Sequence, residues 1–540
     1  MMIAECGMRN VKPKPRRAAA AFADGCFPLR TPHSALCIPP LRRLAALLVL
    51  TGLSAGVQLA GAERVRVAVV ARPAAWWATA LARATLARLC ELKQVWPANP
   101  EVAQRLVPAG PDAPLKEVVE AGKRLRAQFV ALVAWPEIPR EDAELPWEEA
   151  DADADLVDVA TGASQFYGLT APLPELPGFV ALALAEGMRL KVSAEERERV
   201  RKPLAANDEA IRALWQGDAC PKPEDQIRNY ELALHHDPQS ALIHNQLGAA
   251  LARASRLAEA RAEFDRAIAL DPAYAAPHTN RAIVLKREQK WPEAEAACRR
   301  AIALGPKSPT PYFELAILLD RAGGPKAAVE QLEKAIEVDP SHLGALMTLG
   351  VYYFEQSNFA AAQRCFDRVL EIEPKNVEAL NHVGLLLLVP QDYDKAAATF
   401  RKALAIQPDS PSTLANLGLA LYGQKKAKEA IDSVQRAIAL DRRCANSYLY
   451  LGRICLLEKR YGEAAEALQR AVELNPELPG AREALANAQA MSRAKSSGCG
   501  CLGGGGPALG PAEAALSALL PVALLLGPHA VRQARRRRHP

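Results

Sequence analysis

From residue 207 to residue 478 the apolar positions fall at helical spacing, and the whole arrangement repeats every 34 residues. Pro238, Pro272, Pro306, Pro340, Pro374, Pro408 and Pro476 hold the register, with Arg442 in the one skipped slot. Each proline lacks an amide hydrogen and clashes with the preceding turn, so it ends one helix and punctuates one unit. Leu247-Gly248, Leu349-Gly350, Val383-Gly384, Leu417-Gly418 and Leu451-Gly452 share one slot of the repeat. Ala260, Ala294, Ala328, Ala362, Ala396, Ala430 and Ala464 share another, and Phe264, Phe366 and Phe400 a third. Small residues let two helices of a hairpin approach, while the large apolar ones fill the gap to the next hairpin.

This pattern resembles the tetratricopeptide repeat (TPR), with seven units in 241–478 and a degenerate first unit at 207–240. That first unit keeps Tyr230, Ala233 and Pro238, but its first helix is interrupted around Trp215–Pro223. Gly480–Met491 reads as a capping helix. The resemblance implies a mainly α fold: an α-solenoid of helix hairpins, a right-handed superhelix, that binds protein or peptide along the concave face of its first helices. In the slots that face this groove by the family pattern lie Arg253, Arg287 and Arg321, then Asn245 with Asn381, and Asn280 with Asn416. Asn can bond a peptide backbone and Arg a carboxylate. The competing reading of the Arg slot is a solvated cation favoured by the helix dipole. Later units are apolar in the matching slots, at Leu385, Leu388, Val389, Leu419, Leu449 and Leu456, which predicts a hydrophobic half-groove. The Lys/Asn/Arg set of carboxylate-clamp TPRs does not recur within one three-unit block.

Before the array the periodicity is mixed. "RVRVAVVA" (64–71) reads as a strand entering a buried sheet, 76–92 as a helix, Lys116–Leu125 as a second helix and 127–135 as the next strand. The acidic piece from Glu141 to Asp155 reads as a loop, 155–168 as a hairpin around Ala160-Thr161-Gly162, and Leu176–Val192 as a closing helix. "ADLVDVATGASQFYGL" followed by "LKVSAEERERV" resembles the end of a TolB-amino-terminal-like α/β domain, over roughly 63–205. The resemblance implies an accessory or docking module and no catalytic residues. No Gly-rich phosphate loop or nucleophile–base motif lies between Glu63 and Ala206.

Two further apolar runs flank these parts. Arg42-Arg43 precede "LAALLVLTGLSAGVQLAGA" (44–62), whose small residues at the end read as a signal peptide cut after Ala62; an uncleaved anchor is the other reading. At the other end, Cys499-Gly-Cys501 and a glycine run lead to the apolar segment 514–531, with Arg532 and Arg535–Arg538 behind it. Apolar run plus basic cluster is what positive-inside topology asks of an anchor. The ordered set resembles the Myxo-type carboxy-terminal sorting tail, which implies processing or lipid attachment at Cys499 or Cys501.

Charge sharpens the picture. The formal net charge is +6, yet residues 1–43 and 491–540 carry fifteen basic and three acidic residues, so the body is acidic. The tails read as topology signals, and nucleic-acid binding is set aside. The eleven cysteines offer no CxxC and no Cys/His set with zinc spacing, so neither a metal site nor a cofactor is expected. The expected organisation is a leader (1–62), an α/β domain (63–205), the TPR array (206–478), a cap (479–492), a linker (493–513) and an apolar Arg-ended tail (514–540). The expected function is a non-catalytic adaptor of the bacterial envelope, exported and membrane-anchored or surface-held. The alternative is a cytoplasm-facing regulatory subunit of a cyclase-type signalling or membrane-assembly complex.

Overall fold

The computed structural model describes residues 65–496, apart from 73–81, 83, 87, 91, 93–94, 99, 108–113, 135–149, 172–175 and 202–207. Ala62, Cys499, Cys501, both flanking apolar runs and Arg532–Arg538 therefore lie outside the described residues.

Strand β1 (Val65–Arg72) forms because its middle, Val67 to Ala71, is apolar on both faces and both faces are covered. It sits inside a five-stranded sheet of order β2-β1-β3-β4-β5, with β2 at Val95–Pro97, β3 at Phe129–Ala134, β4 at Ala150–Asp158 and β5 at Ser164–Ala171. The first three strands are parallel, and β3, β4 and β5 follow one another antiparallel. Helices α1 (Pro100–Leu106) and α2 (Leu115–Leu125) join β2 to β3, and helical residues also occur at 82, 84–86 and 88–90. Neither β2 nor α1 was expected from the sequence, because each is too short to show a period.

The acidic stretch expected as a loop is strand from residue 150 onward. Its Ala/Asp alternation has period two: Ala152 and Ala154 are buried, with Asp153 and Asp155 at the alternate positions. The β4–β5 turn is fixed by Asp158, whose carboxylate accepts from Ala160 N and Thr161 N at 2.9 Å, and by Gly162 at φ 70°. Helix α3 (Leu176–Gly187) is shorter than the expected 176–192: Arg189 enters the left-handed region and Leu190 N closes onto Ala185 O. A capping box then starts α4 (Ala194–Arg201). Ser193 Oγ accepts from Glu196 N at 3.2 Å, and Glu196 accepts from Ser193 N at 3.0 Å.

Eight helix hairpins follow: α5/α6 (Asp208–Ala219, Pro223–His236), α7/α8 (Ala241–Arg253, Leu257–Leu270), α9/α10 (Ala275–Arg287, Trp291–Leu304) and α11/α12 (Thr310–Arg321, Pro325–Val338), then α13/α14 (Leu343–Glu355, Phe359–Ile372), α15/α16 (Val377–Leu388, Tyr393–Ile406), α17/α18 (Pro411–Gly423, Ala427–Leu440) and α19/α20 (Ala445–Leu457, Tyr461–Leu474). They are numbered hairpins 1 to 8. The repeated glycine decides how close the helices of a pair come. A Cβ on Gly248, Gly350 or Gly384 would stand within 2.7 Å of the ring of Phe264, Phe366 or Phe400, and these rings are fully buried. Hairpin 1 makes the same approach three residues later in its first helix, with Gly217 against Tyr230; contrary to the disturbance expected around Trp215–Pro223, that helix runs unbroken to Ala219 and only residues 220–222 form the turn. Helix α21 (Ala481–Ser496) closes the array and runs past the expected end of the cap at 492.

The sheet is tied to the array on both faces. Val67, Val69 and Val133 share a core with α3 and hairpins 1 to 3, through Ile211, Trp215, Phe264 and Val284. On the opposite face Val70, Val130, Val118 and Leu125 share a core with Leu346, Val369, Ile372 and Ala379 of hairpins 5 and 6.

Candidate interaction face

First helices of successive hairpins lie side by side, and the repeat brings the expected polar residues onto this shared face. Asn280 Nδ2 donates to Asn245 Oδ1 at 2.9 Å, and Asn416 Nδ2 donates to Asn381 Oδ1 at 3.0 Å. The two pairs are the same contact made 136 residues, four units, apart. Asn245 and Asn416 are buried by it, so each pair first satisfies itself and seats one first helix against the next. Tyr274, at the head of α9, also bonds the Asn245 side chain, and burial followed by the Asp271 carboxylate pushes its hydroxyl up to about 12.

The three arginines remain exposed, and each reaches back to the preceding hairpin. Arg253 Nη2 donates to Gln226 Oε1 at 2.6 Å, and Arg287 Nη1 donates to the Ala252 carbonyl at 2.9 Å. The Arg321 guanidinium lies 3.8 Å from the centre of the Trp291 ring. A guanidinium has five N–H donors, and these contacts engage at most one of them in each residue.

Sequence reasoning passed over a further contact on this face. Lys286 Nζ donates to Glu314 Oε2 at 2.5 Å across hairpins 3 and 4, with side chains only 18% and 11% exposed. Both residues stand in slots equivalent to groove positions already read for other units; tabulating every unit at those slots would have found them. In hairpins 6 to 8 the face changes character. Leu385, Leu388, Leu419 and Leu449 were expected to line a hydrophobic half-groove, but they are buried in packing between neighbouring helices. Two large side chains in matching slots of adjacent first helices fill one another's gap before they can reach a ligand. Val389 and Leu456 are half-buried at its margin.

Histidines support the array from within. His244 Nδ1 pairs with Glu263 Oε2 at 2.7 Å and its Nε2 lies 3.2 Å from the Pro238 carbonyl, tying one helix pair to the turn before it. His382 stacks on Phe366 at 4.7 Å. Cys298, Cys365 and Cys455 are buried and unpaired; burial pushes the Cys298 thiol up to about 12 and that of Cys365 up to about 11, so both stay protonated and pack as small apolar groups. Among the described residues no group of three or more His, Cys, Asp or Glu is placed to hold a metal ion, and no helix is long and apolar enough to cross a membrane.

Family models described as tetratricopeptide repeat match residues 227–275, 247–309, 347–411 and 416–479, and a second such model matches 281–347. Among solved structures, the chain is similar to the APC/C hetero-tetramer Cut9-Hcn1, at 19% identity over 58% of this chain and 63% of that one, with a TM-score of 0.41. It spans less than two thirds of that relative. It is also similar to a tetratricopeptide repeat protein from Parabacteroides merdae (21% identity, 46% and 99% covered, TM-score 0.38). A third is pilF of Pseudomonas aeruginosa (20% identity, 41% and 98% covered, TM-score 0.35). No curated protein matches the chain.

Proposed function

Residues 227–479 being an array of tetratricopeptide repeats, an architecture that generally serves as a protein-interaction scaffold, we propose that this chain is a non-catalytic adaptor that captures a protein or peptide on the first-helix face of hairpins 2 to 4. The observation that carries this reading is the set of three exposed guanidinium groups at one slot of three successive hairpins, each held from behind by the hairpin before it. Arginines steadied in this way lose less side-chain entropy when a carboxylate arrives, and they present paired donors to it. The Asn245–Asn280 pair adds amide edges that can follow a peptide backbone on this face, and Asn381–Asn416 repeats the arrangement in hairpins 6 and 7.

The adaptor works in the cell envelope. The apolar run before Ala62 exports it, and the Cys499/Cys501 region with the apolar, Arg-ended tail holds it at a membrane or the surface after processing. Those flanking features support export over the cytoplasm-facing alternative, since a basic pair precedes the first apolar run, as in a signal peptide, and an Arg cluster follows the second.

Charge reversal of Arg253, Arg287 and Arg321 together tests the binding face. Capture of the native partner from the membrane fraction falls at least tenfold while the melting temperature changes little; loss of the fold would assign the arginines a structural role alone. Protease accessibility on intact cells, with mass measurement of the mature carboxy terminus, tests the location. A chain shielded from protease and still carrying Arg535–Arg538 contradicts export and sorting.

A further inference from the structure

Hairpins in a solenoid touch only their neighbours, so nothing in the repeat itself fixes the tilt of one unit against another three units away. The α/β domain makes such a long-range connection. Lys307, in the turn after hairpin 3, donates through Nζ to Cys90 O at 3.1 Å and Leu92 O at 2.6 Å, at the end of helical residues 88–90. Arg66 of β1 donates to Val338 O at 2.6 Å and Glu337 O at 3.3 Å, at the end of α12. Arg368 of hairpin 5 is almost fully buried; its Nη2 donates to Arg124 O in the last turn of α2, its Nε to Pro340 O at 3.3 Å and its Nη1 to Glu371 at 2.8 Å. Arg105 pairs with Glu373 at 2.7 Å at the rim.

Three of these contacts share one chemistry: a cation from one side satisfies the last carbonyls of a helix on the other side. Those carbonyls have no partner within their own helix, and the dipole end there is negative. Between the caps the surface is apolar, with Ile372, Val369, Leu346 and Ala379 against Leu125 and Val118. The array repeats the same pairing of a basic residue with an apolar one a turn later, as Arg266/Leu270, Lys402/Ile406 and Arg436/Leu440. There the apolar side chains are 37%, 42% and 48% exposed, whereas Ile372 is fully buried under the α/β domain.

We propose that the α/β domain is a brace: docked by helix-end caps on the turn edge of hairpins 3 to 6, it fixes their relative tilt and so the spacing of residues on the first-helix face. The brace stands whatever that face binds.

Hydrogen–deuterium exchange on the full chain tests it, comparing the wild type with Lys307→Ala/Arg368→Ala, with Arg66→Ala, and with Arg436→Ala as the equivalent position outside the docked edge. In the double variant, exchange rises about tenfold or more in residues 123–127, 305–309 and 337–342, while hairpins 7 and 8 keep wild-type protection. Arg66→Ala, which leaves every array residue intact, deprotects 337–342 in the same way, and Arg436→Ala changes none of these segments. Small-angle scattering shows a larger radius of gyration for the double variant. Unchanged exchange at the three segments in both brace variants overturns the proposal, as does an equal rise across hairpins 7 and 8.

Discussion

At the scale of single residues, the array is held by polar contacts that bridge neighbouring units as much as by its apolar slots. The Lys286–Glu314 pair is the sharpest case, because its carboxylate is nearly out of water and has little else to turn to. Lys286→Met strands that charge and costs about 2–3 kcal/mol of stability, below the figure for a fully buried pair because both side chains keep some solvent. Lys286→Met/Glu314→Leu recovers most of the loss, and urea unfolding of the two variants measures the difference. Two histidines set a pH dependence. His278 is held below the ordinary range by burial and then by Arg300 and Arg281; His342 is held below it by burial against the opposing pull of Asp339. The unfolded chain therefore takes up these protons first as pH falls. Their contribution is complete above about pH 6.5 and is lost below it, down to their lower folded values. Thermal melts from pH 7.5 to 5 show a falling midpoint, and His278→Gln flattens the slope. The repeat slots mark Lys286 and Glu314 in the sequence, but the histidine environments were not legible there, since a lone His in a helix carries no mark of what the next unit places beside it.

At the scale of the element, most of the array could be read directly. A 34-residue period with glycine facing a large side chain leaves little freedom in how two helices pack, and Gly384 against Phe400 is what that spacing requires. The turn between the helices of each pair was less visible. Ser255, Gln289, Gly323, Ser357, Gln391, Lys425 and Lys459 all take positive φ at one slot of the repeat, and the next amide closes back onto the last turn of the first helix, as Lys426 N does onto Leu421 O at 3.0 Å. Only one unit places glycine there, so residue type gave no warning. A side chain in this conformation costs about 1–2 kcal/mol, partly offset by the extra freedom glycine has when unfolded. Lys425→Gly therefore raises stability by about 0.5–1 kcal/mol and Gly323→Ala lowers it by a similar or larger amount, read from denaturant midpoints. A Cβ at Gly323 meets nothing within 4 Å, so its effect isolates the backbone term. The α/β domain was legible only where strands and helices were long. The acidity of the Ala/Asp stretch points to a loop, but its period of two is that of strand β4.

For the whole molecule, the chain combines a one-dimensional array with a domain that folds back on it. The proposed interaction face and the proposed braced edge use different surfaces of the array, so partner capture and docking can be perturbed separately. The fold class followed from the repeat because every unit restates the same packing problem. The docking of the α/β domain did not, because it depends on where the fourth and fifth hairpins arrive in space. The proposed binding surface is the first-helix face of hairpins 2 to 4. Photo-crosslinking in the native membrane fraction probes it, with a benzophenone residue placed in turn at Ile283 and Ile317, which precede Arg287 and Arg321 by one turn on the first helices α9 and α11, and at the exposed Arg299 on a second helix. Capture at this face predicts a discrete adduct from positions 283 and 317, lost when Arg253, Arg287 and Arg321 are reversed, and none from position 299. Equal adducts from all three positions, or adducts that survive the reversal, would contradict it.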